Sequence, residues 1–196
     1  ETAVDQKLSP KAIAAGAAHG LEISGGEGAL GPTGIYDSGD GWAWGANDQE
    51  QVKPGDMSGQ PLGMTVTLSG GTAIAGGGAH SLELSPTGNV YAWGANDRGQ
   101  AGLGAASKPS SYILPVKGPG GDGLLSGVKA VAAGESHSLA LKGDGTVWAW
   151  GHNLEGQLGT GNQTAHFTPV QVPGLSGIAS VRAGYGFAPA GRFQLA

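Results

Sequence analysis

The chain has no cysteine, few basic residues and no long apolar run. Without Cys there can be no disulfide, thiol nucleophile or Cys-ligated zinc, and that absence fits any compartment. Lys and Arg number 10 against 15 Asp and Glu, a net charge of −5. The basic residues are not clustered, so the electrostatic footprint of a nucleic-acid binder is missing. All charged residues together make up 13% of the chain, too few for helices laced with ion pairs. No stretch approaches the ~18 apolar residues that read as a membrane-spanning helix. The sequence begins at Glu1 without Met and without a signal-peptide pattern, so it reads as processed or as part of something longer. Low charge, abundant Gly and no Cys favour an extracellular or cell-envelope protein of bacterial type.

Glycine is what the chain has in excess: 40 of 196 residues, against an ordinary usage of roughly 7%. Scattered glycine would suggest disorder. Here it falls at fixed offsets in a repeated unit, and repeats govern the reading of everything else. Thr146–Gly159 reads TVWAWGHNLEGQLG, Val90–Gly104 reads VYAWGANDRGQAGLG, and Gly41–Gln51 reads GWAWGANDQEQ. Each is a strand, a Trp-Gly stop and an Asn/Gly turn.

A second element alternates with the first. Ala12–Ile23 (AIAAGAAHGLEI), Ala73–Leu84 (AIAGGGAHSLEL) and Ala130–Leu141 (AVAAGESHSLAL) are three copies. Ala179–Ala188 (ASVRAGYGFA) is a fourth, degenerate one that has lost the His-Ser pair, and Pro189 follows it. Small and β-branched residues, a Gly, then alternating apolar residues predict a strand, a tight bend and a second strand. His19 to His80 is 61 residues and His80 to His137 is 57. The turns at Lys142–Gly145 and Pro86–Asn89 carry hairpin signals, and Ser24–Asp40 is a longer insertion. Met64–Leu68, Tyr112–Val116 and Thr168–Val172 are candidate outer strands, rich in the Pro and Thr that an edge strand tolerates. Nothing shows a 3.6-residue period with caps.

Four short strands per repeat of about 50–60 residues predict an all-β chain of propeller blades. The expected division is a leader or edge segment at 1–11, repeats at about 12–72, 73–129 and 130–178, and a terminal partial repeat at 179–196. The Trp of each AWG run is expected between blades, where its large apolar area holds the stack.

GESHSLALKGDGTVW followed by WAWGHNLEGQLGTGN, with the second copy GAHSLELSPTGNVYAWGANDRGQAGLG, resembles the RCC1 (regulator of chromosome condensation) repeat family. Almost the whole chain is covered. The resemblance implies blades of a β-propeller that usually closes with seven, and it implies protein partners. Members include a guanine-nucleotide exchange factor and bacterial proteins that bind other proteins. The exchange activity does not carry over, because the residues it would need are not identifiable here. Three repeats cannot close a ring of seven. The chain is expected to be a fragment of a longer propeller, to close with further copies, or to form an open, curved stack.

Repeated residues read as scaffold. His19, His80 and His137 are equivalent and are expected to bond backbone between strands; a metal would need them to converge within about 2.1 Å of one ion. Asn47, Asn96 and Asn153, with Gln51, Gln100 and Gln157, are expected to tie down the turns. Ser81 and Ser138 each follow a His, but neighbours on a strand point to opposite faces, so no nucleophile–base pair stands out. Gly76–Gly78 lacks the Lys-Ser/Thr of a phosphate loop. Asp37, Asp40, Asp48 and Glu50 offer oxygen ligands near the insertion, without the EF-hand pattern, and read as a solvated turn.

Residues that break the repeat are the better functional candidates. Tyr36, Asp37, Tyr112, His152, His166, Phe167 and Tyr185 form the candidate partner-binding set, since exposed aromatics commonly anchor interfaces. No catalytic, metal or cofactor site is expected. The sequence points to a non-enzymatic protein-interaction or self-assembling module. A fragment of a longer regulatory propeller and an enzyme with a cross-blade His are the alternatives.

Overall fold

The computed structural model describes residues 12–23, 41–52, 64–66 and 70–185. They form twelve strands and one short 3-10 turn at Pro119–Gly121, with no α-helix among the described residues. Sheet one contains β1 (Ala12–Ala15), β2 (His19–Ile23), β3 (Gly41–Gly45) and β4 (Met64–Val66). Sheet two contains β5 (Ala73–Gly76), β6 (His80–Leu84), β7 (Val90–Asn96) and β8 (Ser107–Pro115). Sheet three contains β9 (Val128–Ala133), β10 (His137–Lys142), β11 (Val147–Gly151) and β12 (His166–Gln171). Each sheet runs antiparallel in chain order, the meander expected of a propeller blade.

Register repeats with the sequence. His19, His80 and His137 pair with Gly45, Gly94 and Gly151, and the residue after each His pairs with Trp44, Trp93 or Trp150. The glycine after each Trp has a reason. Gly151 has φ +103°, and a Cβ there would lie 2.6 Å from the Ser136 carbonyl oxygen. Only glycine meets both conditions.

The apolar core lies between sheets. Leu21, Ile23, Ala43 and Val52 of blade 1 meet Ile74 and Trp93 of blade 2. Leu82, Leu84, Val90 and Ala101 of blade 2 meet Val128, Ala140 and Trp150 of blade 3. Each large side chain so buried contributes about 1.5–3 kcal/mol. Trp93 and Trp150 are 0% exposed, as expected of interblade residues. Blade 1 departs from that expectation. Trp44 is 36% and Ile13 is 68% exposed, whereas Ile74, the counterpart of Ile13, is buried. The cause is positional: among the described residues no sheet packs on that side of blade 1.

The outer strands are shifted from the sequence reading. The second begins at Ser107, five residues before Tyr112, and the third runs His166–Gln171. The fourth copy is also corrected. Residues 179–185 form no strand, and 186–188 lie outside the described residues, as does the insertion at 24–40. The segment still docks as an inner strand would. Ile178 N–H donates to Gly145 O at 3.1 Å, as Val128 N–H donates to Gly88 O at 3.1 Å. Leu175, Ile178, Val181 and Ala183 then cover the apolar face of blade 3. Strand geometry is missing because no described neighbour supplies a ladder for it.

Candidate functional site

The histidines that repeat along the chain belong to latches between blades. His19 Nε2 lies 3.0 Å from Ser81 Oγ, and His80 Nε2 lies 2.9 Å from Ser138 Oγ. Ser81 donates to Gln51 O at 2.8 Å, and Ser138 donates to Gln100 O at 2.8 Å. The same carbonyls accept the indole N–H of Trp93 at 2.8 Å and of Trp150 at 2.9 Å. Each serine gives its only proton to a carbonyl, so the His Nε2 must carry the proton that it shares with the serine. Nδ1 is buried and has no partner at His19 and His80, so a second proton there would be a buried, unpaired donor on a charged ring, and the imidazole is held neutral. Burial lowers His19 to about 4. Burial, then the neighbouring His137 and His19, lowers His80 to about 3. Burial and His152 lower His137 to about 4.

His19, His80 and His137 were expected to bond backbone, and for His19 and His80 the structure corrects that: the partner is a serine side chain one blade away. A His–Ser contact at hydrogen-bond distance can suggest a nucleophile and its base. Here both serines are fully buried and their protons are committed to backbone carbonyls, so no substrate reaches them. The latches are architecture.

The Asn/Gly turns are likewise scaffold, as the sequence suggested. Asn47, Asn96 and Asn153 Oδ1 accept the backbone N–H of Val52, Ala101 and Leu158 at 2.9, 3.1 and 2.9 Å. Gln51, Gln100 and Gln157 Oε1 accept from the backbone two residues earlier. Glu50 takes φ +59° where blades 2 and 3 use Gly99 and Gly156. Its carboxylate accepts Ser111 Oγ at 3.3 Å, and Asp48 accepts Gln51 Nε2 at 3.2 Å. Asp37 and Asp40 lie outside the described residues. Among the described residues no group of His, Asp and Glu could hold a metal ion.

The bends at the inner strands and the Asn/Gly turns share one face. Ala46, Ala95 and His152 N–H donate to Ala18, Ala79 and Ser136 O at 2.8, 2.8 and 2.9 Å. On this face Arg98 of blade 2 reaches blade 3, its Nη1 lying 2.9 Å from His152 Nε2. A guanidinium only donates, so Nε2 accepts in this contact, while Nδ1 lies 2.9 Å from the Nε2 amide of Gln157 in the blade 3 turn. Burial first and Arg98 second hold His152 below its ordinary pKa, against Glu155, Glu135 and Asp97, which raise it. Tyr185 stands on the same face, half exposed. Burial raises its phenol and Glu135 adds to that rise, while a bond from the Ala17 backbone opposes it. Leu154, at the tip of the blade 3 turn, is 60% exposed.

The structure thus brings His152 and Tyr185 together around Glu135. Tyr112 is 72% exposed on the outer strand β8, and on β12 His166 pairs with Gly151, the residue before His152. Phe167 packs on the blade 2 turn: a Cβ at Gly99 would lie 2.3 Å from its ring. Tyr36 and Asp37 lie outside the described residues. Arg98, Glu135 and Leu154 were missed. Each breaks its repeat, as Gln49 and Glu155 replace Arg98, Ala17 and Gly78 replace Glu135, and Asp48 and Asp97 replace Leu154. That difference was the available signal.

Three four-stranded blades joined by recurring Trp latches define a partial β-propeller. Models described as the regulator of chromosome condensation (RCC1) repeat match residues 72–100 and 128–157, and residues 87–141 and 144–190. The chain belongs to the RCC1 repeat family. It is 29% identical to the ultraviolet-B receptor UVR8 of Arabidopsis thaliana over 165 residues, 83% of this chain and 34% of that protein. It is 37% identical to the mitochondrial RCC1 domain-containing protein RUG3 of the same plant over 137 residues, 67% of this chain and 29% of that protein. Among solved structures it resembles Prp20p of Saccharomyces cerevisiae (TM-score 0.72, 22% identity, 93% of this chain and 43% of that one). It also resembles human WBSCR16 (TM-score 0.64, 25% identity, 86% of this chain and 41% of that one). The chain spans about a third of these curated relatives. The relatives named are eukaryotic and give no support to the bacterial type expected from composition.

Proposed function

We propose that the chain is a non-enzymatic protein-interaction module whose partner docks on the face where the Asn/Gly turns meet the inner bends. The observation that carries this reading is the Arg98–His152 contact across blades 2 and 3, beside the exposed Leu154. His152 also holds Gln157 of its own turn at 2.9 Å, but neither the latches nor the turns need the side chains of Arg98 and Leu154, and the other blades have different residues there. Arg and exposed apolar residues next to a rigid scaffold are typical anchors of a protein interface. One solved RCC1-type propeller of yeast, Prp20, is bound to Kap60, and another structure concerns its binding to Gsp1p and histones. Those partners belong to that protein; what they support here is the class of ligand.

Capture of partners from the native source by the immobilised chain, quantified by mass spectrometry, tests the reading. Arg98→Glu with Leu154→Asp is expected to lose the captured protein, while Tyr112→Ala on the rim retains it. Equal capture by all three proteins overturns the assignment of this face. A second reading, self-assembly through a blade edge, is favoured by one observation, the exposure of Ile13 and Trp44 on the open side of blade 1. Light scattering separates the two, since a monodisperse monomer removes self-assembly.

A further inference from the structure

Blade 3 carries a feature that neither the latches nor the proposed docking face uses. The loop from β11 to β12 contains Asn162-Gln163-Thr164, and all three residues are exposed. Of the five asparagines, only Asn162 is followed by any residue and then Ser or Thr. That triplet is the acceptor pattern for N-linked glycosylation when the middle residue is not proline. Three-residue patterns recur by chance, so the geometry has to decide.

The amide orientation is fixed. Three donors converge on Asn162 Oδ1: the Thr164 backbone N–H at 2.9 Å, Thr160 Oγ1 at 3.2 Å and Asn153 Nδ2 at 3.4 Å. The nitrogen Nδ2 therefore points away from this cluster, and among the described residues no hydrogen bond holds it. The Thr164 hydroxyl is also unbonded. Beneath the loop, buried Asn153 donates to the backbone carbonyls of Asn162 and Thr164 at 3.0 and 2.9 Å. The loop is held from inside by its backbone, leaving the acceptor amide and the hydroxyl outside.

Blade 2 shows that the scaffold does not require these side chains. There Asn96 Nδ2 donates to Ala105 O and Ser107 Oγ, both at 2.9 Å. Ala105 and Ser107 stand nine and eleven residues after their turn asparagine, as Asn162 and Thr164 do. An alanine carbonyl fills the structural role of residue 162. The Asn side chain is additional to the fold, on the outer side of a pinned surface loop.

We infer that Asn162 is an N-glycosylation acceptor and that the chain passes through a secretory lumen, in keeping with an extracellular destination. The donor is a lipid-linked oligosaccharide pyrophosphate. The Nδ2–C1 bond forms, the C1–oxygen bond to pyrophosphate breaks, and the phosphate leaves with the electron pair. One amide proton passes to a base of the transferase. The glycan would project from the loop between β11 and β12, near the outer strand of blade 3.

Glycopeptide mass spectrometry of the protein isolated from the cells that make it tests the inference. The expected result is a hexosamine-linked glycan on Asn162, removed by an N-glycanase with conversion of Asn162 to Asp. Expressed with lumenal targeting, Asn162→Gln and Thr164→Ala lose the glycan, and Thr164→Ser keeps it. The far-UV spectrum of each variant reports whether it folds. Unmodified Asn162 in the native protein, or a glycan that persists in Asn162→Gln, overturns the inference. Neither result bears on the docking face.

Discussion

Blades 2 and 3 are joined through one carbonyl oxygen, and its two donors can be removed separately. Gln100 O accepts from Ser138 Oγ and Trp150 Nε1 at 2.8 and 2.9 Å. Trp150→Phe keeps most of the apolar area and removes one donor, while Ser138 still satisfies the carbonyl. The expected cost is about 1–2 kcal/mol, from one hydrogen bond and a small cavity. Ser138→Ala leaves Gln100 O with the indole but strips His80 Nε2–H of its acceptor. His80 is fully buried, so the orphaned donor costs about 1–3 kcal/mol. In the double variant the carbonyl loses both donors in a site that water does not reach. Its own desolvation, about another 1–3 kcal/mol, appears only then. The pair should therefore cost more than the sum of the singles by about that amount. Urea unfolding followed by far-UV circular dichroism measures all four proteins without relying on tryptophan emission. Additivity within about 0.5 kcal/mol, the range for independent sites, would refute the shared-acceptor account.

Acid should loosen the latches. His19, His80 and His137 are held near 4, 3 and 4 by burial, below the unfolded value of about 6.5. The unfolded chain binds more protons in that interval, so the stabilisation is fully present above pH 6.5 and is lost as pH falls through about 4. The urea midpoint should drop steadily from pH 7 to pH 4, and a flat profile would contradict the neutral-imidazole geometry. Position in the stack should set the worth of each tryptophan. Trp93→Ala is expected to cost about 3–5 kcal/mol and Trp44→Ala roughly 2 kcal/mol less, because Trp44 remains partly in water; equal losses in thermal unfolding would mean that blade 1 is covered after all.

The blade was legible in the sequence because its determinants are local. Strand, bend and turn follow from Gly offsets, alternating apolar residues and the Asn that closes each turn, and all lie within one repeat. The latch was not legible, because its partners come from different repeats: His19 and Ser81 are 62 residues apart, His80 and Ser138 58. A recurring position shows that a residue matters in every copy, but not which copy it touches. The outer strands shifted for a related reason. Their start depends on pairing with β7 and β11, and Ser107 is placed by Asn96 Nδ2 rather than by a pattern of its own. The functional residues divide along the same line. His152 and Tyr185 were visible as exceptions to the repeat, but Arg98 gains its meaning only from reaching His152 in the next blade.

His80 and Ser81 are neighbours in the chain, yet they serve different interfaces, Ser81 facing blade 1 and His80 facing blade 3. Blade 2 thus carries a donor half, Ser81 and Trp93, which gives its protons to the Gln51 carbonyl of the preceding blade, and a second half turned toward the next blade, the Gln100 carbonyl that accepts and His80 that donates to Ser138. The cohesive unit is offset from the sequence repeat, so coupling passes from neighbour to neighbour, as in other repeat arrays. Blade 1 differs on its preceding side: Gly20 stands where Ser81 and Ser138 stand, and a Cβ there would lie 2.2 Å from the Trp44 ring. Trp44 therefore lies over β2 of its own blade, in the space that a serine at position 20 would occupy. Within the described residues the donor half is complete only at the two interfaces that exist, and each latch serine is matched to a blade that is there to receive it.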